Sequence, residues 1–207
     1  FRIMKYLTSS FLLAIGILIS VSVAVSCSRN EKIAGAWTAP PVRLDGVPDA
    51  ADALATVTVD FGAQDKANAT HPLNLSALID VTQPVEAVQG GIDMPYEVSV
   101  AATASISGRY TFEKGEDDDV VVTLDPSSMK VDIDPAGVTF SQNVLTGLQQ
   151  PRLDSLTEAT VSKWRVEIAR AVRSEFYKYA TISDIKIHHD DMMTCEISDR
   201  DYTLRRN

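Results

Sequence analysis

Cysteine is scarce in this chain of 207 residues, and its basic side chains are outnumbered by acidic ones; each shortage removes a class of function. Two cysteines, Cys27 and Cys195, cannot build a disulfide framework. Nineteen basic against 28 acidic side chains leave a formal net charge of −9, which argues against nucleic acid as a partner, because phosphate binding needs a basic surface. There is no Gly-x-Ser-x-Gly elbow, no phosphate-cradling glycine loop and no dinucleotide fingerprint, so the reading is non-enzymatic with no cofactor. Also missing is a run of roughly 20 apolar residues, the length a membrane-crossing helix needs. What is present, 45% apolar and 23% charged residues, is a composition that folds, with length for one domain.

The N-terminus carries an address. Leu12 to Val25 is an apolar run of 14 residues, preceded by Arg2 and Lys5 and followed at once by Cys27-Ser28-Arg29 after Ser26, which is the layout of a signal-peptide core with a small-residue exit. Val23-Ala24-Val25-Ser26-Cys27 resembles the lipobox of bacterial lipoproteins, with Ala24 where leucine is usual. The resemblance implies a signal peptide at 1–26 and lipid attachment at Cys27, and Ser28 fits retention in the outer membrane. Several acyl chains would make the attachment permanent. The alternative is a plain secretory peptide cut after Ser26.

Residues 27–34 read as a lipidated tether and 35–207 as one β domain. Ala55, Val57, Val59 and Phe61 alternate with polar residues, and so do Leu73 to Val81, with Leu78 as the exception. Tyr96 to Phe112 alternates on even numbers, with Gly108 as a hinge or bulge. Short alternating runs follow to Phe140, separated by turns at 114–119, 125–128 and 134–137, while Thr38 to Asp52 reads as loop. This is a meandering antiparallel sheet, mainly β, closed as a barrel or folded as a sandwich. One segment breaks the rhythm. From Asp154 to about 180, Val161, Trp164, Ile168, Val172, Phe176 and Tyr179 fall on one face of an amphipathic helix, with Ser155-Leu156-Thr157-Glu158 as a capping box. Lys163, Arg165, Arg170, Arg173 and Lys178 are assigned to its outer face, where they would meet anionic lipid headgroups were Glu167 and Glu175 not among them.

Gly35-x-Trp37 opening the first strand, the meander, the late helix and the closing Tyr202-x-Leu204-x-Arg206 together resemble the lipocalin-like (calycin-type) lipoproteins of Bacteroides-type bacteria. The resemblance implies a barrel whose closed end is formed by Trp37 and Arg206. It also implies a small apolar ligand, with Tyr96, Ala102, Ala104 and Tyr110 lining the cavity. The competing expectation is a structural or interaction module of the cell envelope with a filled core and a protein partner.

The remaining chemistry-bearing residues read as structure. His188-His189-Asp190-Asp191 is a polar hairpin turn, because neighbouring residues on a strand face opposite ways, and no metal site is assigned. Glu116 to Asp119 lacks the spacing and internal glycine of a calcium loop. Cys195 shares the parity of Met193 and Ile197 and is placed in the core.

Overall fold

The structure, a computed structural model, describes residues 32–48, 51–63, 69–86, 95–113 and 118–207. Eleven strands form one sheet: β1 (Gly35–Thr38), β2 (Val42–Arg43), β3 (Asp52–Phe61), β4 (His71–Val85), β5 (Tyr96–Phe112), β6 (Val120–Leu124), β7 (Lys130–Asp132), β8 (Val138–Phe140), β9 (Thr181–His188), β10 (Met192–Ile197) and β11 (Asp201–Arg206). Every pairing is antiparallel. A short helix, Gln142–Gly147, and a long one, Gln150–Tyr177, separate β8 from β9.

Alternation decides the strands. The odd residues of β3 from Ala53 to Phe61 and of β4 from Leu73 to Val81 are buried, as are the even residues of β5 from Val98 to Ile106 and Tyr110. Leu78, the one apolar residue out of step, is 64% exposed. These strands pair in continuous register, Val59 with Leu75 and Leu75 with Ile106. Gly108 is required by close approach: a Cβ there would meet the Thr123 carbonyl oxygen at 2.6 Å, so a side chain would push β6 off β5.

The pairings return on themselves in the order β1, β11, β10, β9, β6, β5, β4, β3 and back to β1. The ring is unequal, because β4 and β5 are 15 and 17 residues long while β9 to β11 have 8, 6 and 6. β6, β7 and β8 follow one another along one edge of β5, and only β6 is joined onward to β9. Over the stretch of β5 that lies beyond the ring, the long helix packs against β5, β7 and β8. Its Val161, Trp164, Ile168, Val172 and Phe176 join the same hydrophobic cluster as the strand interiors. Lys163 Nζ ties it to the far part of β4 by donating to Gln83 Oε1 at 3.1 Å.

Three local expectations are corrected. The helix starts at Gln150 rather than Asp154, because Pro151 suits the first turn. The Ser155 hydroxyl accordingly donates back to the Pro151 carbonyl at 3.0 Å instead of capping, and a 3₁₀ turn, Lys178–Ala180, completes the segment. Thr38 to Asp52 is not all loop: Ala39 N–H donates to Val57 O, Leu44 N–H to Ala53 O, and β2 runs along β3 between them. Glu175 is not outward but 2% exposed, on the packed face of the helix and joined to Lys178 at 2.6 Å.

Candidate functional site

One rim of the ring brings the two motif residues together. Trp37 and Arg206 are register partners across β1 and β11, and Trp37 also faces Val59 of β3, so the indole sits where the ladder closes. The Trp37 side chain is fully buried. Its Nε1–H donates to the Ile33 carbonyl at 2.7 Å, and the Arg206 guanidinium lies 4.5 Å from the ring centroid. Arg206 Nη2 further donates to the carbonyls of Lys32 at 2.7 Å and Ala34 at 3.2 Å. The turn that enters β1 is thus held down from both sides, and the buried Ile33 side chain is held with it. Gly35 makes this possible with a φ of +119°, a conformation that a side chain would strain.

A guanidinium stacked on an indole contributes roughly 0.5–2 kcal/mol, depending on how far it is desolvated. Arg206→Ala is therefore expected to lower stability by about that amount and to shift the Trp37 emission, read in a Trp164→Phe background. Unchanged emission would show that the two groups do not touch in solution.

Beside this rim is a cleft of about 370 Å³, lined by Lys32, Ile33, Phe112, Asp118, Ile185, Lys186 and Ile187. A bulge forms its far wall. The β9–β10 register slips between Thr194 and Glu196, opposite Asp184, whose φ is +52°. Asp184 N–H donates to Asp119 Oδ1 at 3.0 Å and Ile185 N–H to Asp118 O at 3.0 Å, so β9 resumes with Ile185 and Ile187 in phase. A second cleft, of about 320 Å³, lies on the outer face over Ser76, Leu78, Thr103 and Lys130.

The four residues assigned to a ligand cavity lie along one face of β5. Tyr110 is 1% exposed, its hydroxyl donates to Gly62 O at 3.3 Å, and its ring meets Phe61, His71 and Phe112 at 5.2, 5.1 and 5.9 Å. Burial pushes its phenol up to about 12. Tyr96, half-buried, lies 6.4 Å from Phe140, and burial raises its phenol as well. Ala102 and Ala104 are buried on the part of β5 that β7 and β8 flank, in the hydrophobic cluster that the helix joins. Neither tyrosine lines either cleft, nor does Ala102, while Ala104 borders the outer one.

Cys27 lies outside the described residues. His188 is on β9 with Nε2 3.1 Å from Thr194 Oγ1, whereas His189 and Asp190 are turn residues with φ of +52° and +60°. Among the described residues no three histidines, cysteines or carboxylates converge on one point. Cys195 is buried, and burial pushes its thiol up to about 12, away from the lowered value of a reactive thiolate. No helix among the described residues is long and apolar enough to cross a membrane. The lining residues of the rim cleft were missed in the sequence because they come from the entry to β1, the last residue of β5, Asp118 just before β6 and the bulged half of β9. The one signal for them was the Ile185-Lys186-Ile187 alternation. Comparison with family models, with curated proteins and with solved structures finds no match for the chain.

Proposed function

We propose that the chain is a lipid-anchored envelope protein, attached through Cys27, and that its β domain is a lipocalin-like barrel with a filled core serving as a structural or interaction module. The observation that carries the filled-core reading is the continuity of the core: Trp164, Ile168, Val172 and Phe176 of the long helix, all at most 1% exposed, lie in one cluster with the buried faces of β3, β4 and β5. The closed ring of pairings and the Trp37–Arg206 stack at its rim support the barrel reading. A buried, protonated Cys195 and the absence of a nucleophile motif support a non-enzymatic role.

The rim cleft favours a second reading, in which a small apolar ligand binds at the edge of the ring against Ile33, Phe112, Ile185 and Ile187. Native mass spectrometry of protein purified from its own host separates the two. A co-purifying protein supports the module, and a co-purifying lipid or other small molecule supports the ligand carrier. The anchor has its own test. Cys27→Ala is expected to move the protein from the detergent phase to the soluble fraction, and unchanged membrane association would refute attachment at that residue.

A further inference from the structure

The long helix presents a cationic stripe to solvent on the side opposite its packed face. Its buried residues Val161, Trp164, Ile168, Ala171 and Glu175 step by three and four, and so form one ridge of the helix. Arg152, Lys163, Val166, Arg170, Arg173 and Tyr177 form the opposite ridge, with Ala159 in the gap between the first two. All six are exposed, Val166 at 59% and Tyr177 at 43%. At 1.5 Å per residue the ridge is about 37 Å long.

One acid, Glu167, meets the ridge, and the others lie off it. Glu175 is buried and taken by Lys178. Glu167 sits at the border of the stripe, where it pairs with Arg170 at 2.9 Å. Asp154 and Glu158 fall on the flank beside Arg165, on the other side of the helix. Lys163 turns its ammonium back to Gln83 of β4 and over the Trp164 ring, so Arg152, Arg170 and Arg173 are the cations the ridge offers, on a chain whose formal net charge is −9.

We propose that this ridge is a docking surface for an anionic lipid bilayer. Charge complementarity gives the sign of the partner, and the shape of the row selects a bilayer over a protein. The cations stand on long flexible stems along one line, with exposed Val166 among them and Tyr177 at its end. A plane of mobile anionic headgroups with an apolar layer beneath matches that arrangement. The proposal rests on the anchor reading, which puts a membrane within five residues of Lys32 and makes a weak electrostatic contact intramolecular.

The test uses the full lipidated chain carrying Val166→Cys, labelled with an environment-sensitive fluorophore; Cys195 is buried and protonated and does not compete for the label. The protein is reconstituted into neutral phosphatidylcholine vesicles and into vesicles containing phosphatidylglycerol. Quenching of the fluorophore by a lipid-borne nitroxide is expected to be several-fold stronger in the anionic vesicles. Half-molar salt should return it to the neutral level, as should Arg170→Glu with Arg173→Glu, whereas Arg170→Lys with Arg173→Lys should keep it. Equal quenching in both vesicles overturns the proposal, as does a response to polyglutamate but not to vesicles, which would assign the ridge to an acidic protein. Failure of the anchor reads differently. The protein would then not float with neutral vesicles, while added anionic vesicles would still quench the label.

Discussion

Trp37→Ala is expected to lower the unfolding free energy by about 3–5 kcal/mol, the range for truncating a fully buried large aromatic. The physical reasons add in one direction. The indole fills the seam where β1 meets both β3 and β11, so its loss leaves a void bounded by ladders that cannot close without giving up register partners. Its Nε1–H is the donor that holds the Ile33 carbonyl at 2.7 Å, and it is the surface on which Arg206 lies. Trp37→Phe separates these contributions. It keeps most of the apolar volume and a ring for the guanidinium but removes the donor, and should cost about 1–3 kcal/mol, the penalty for a buried carbonyl left unpaired. Urea unfolding followed by far-ultraviolet circular dichroism measures both. A loss below about 1 kcal/mol for Trp37→Ala, less than a third of the lower bound for a packed aromatic, would mean that the seam is not closed by this residue.

The motif pair was legible in the sequence because position and parity are both short-range facts: Arg206 shares its parity with Tyr202 and Leu204, and Trp37 opens the first strand. The same holds for β3, β4 and β5, where strict alternation fixed the buried face residue by residue. What failed to show was anything that depends on a slip in that count. The bulge at Asp184 re-phases β9, so Ile185 and Ile187 reach the rim while Ile182, of opposite parity, is also buried. Glu175 was assigned outward by its charge, although its spacing from Val161, Trp164, Ile168 and Ala171 put it on the packed ridge. There periodicity was the better guide than residue type. Burial opposes protonation of Lys178, yet the hydrogen bond and charge of Glu175, with Asp45 3.5 Å away, more than offset it and hold its ammonium above the ordinary lysine value.

The helix shows why a fold can be legible while the contents of its core are not. Its stripe predicted a packed face, but not which strands Trp164 and Phe176 pack against. The answer lies in strand lengths. β5 outruns β9 to β11, and β7 and β8 take only short stretches of its free edge, so the exposed inner surface that remains needs a cover of helical length. Ala102 and Ala104, small residues that suit a cavity wall, equally suit close approach of a helix, and both are buried in the cluster that the helix joins.

The largest pH effect is expected on the alkaline side. Cys195 titrates in the fold at about 12 against an ordinary 9.0, and Tyr110 at about 12 against 10.0, both because burial disfavours the charged form. Tyr179 is raised in the same direction, by burial first and by Glu175 second. A group whose folded value is raised binds its proton longer in the native state than in the unfolded one. Above its ordinary value the unfolded chain therefore holds fewer protons, and stability falls as pH rises. The thiol begins this loss near pH 9 and the phenols near pH 10. By pH 11 the Cys195 shift removes about 3 kcal/mol and the Tyr110 shift about 1 kcal/mol, at 1.36 kcal/mol per unit. Together that is about 4 kcal/mol, a large share of the roughly 5–15 kcal/mol by which a domain is stable. Lys178 adds to the same slope above its ordinary range. Urea unfolding at pH 8, 9, 10 and 11 should give a plateau, then a first decline between 9 and 10 that is much smaller in Cys195→Val, then a steeper one shared by both proteins. A Cys195→Val chain that still weakens between pH 9 and 10 as the parent does would show that the thiol is not shielded in the core, and with it that β10 does not face inward where the ring closes.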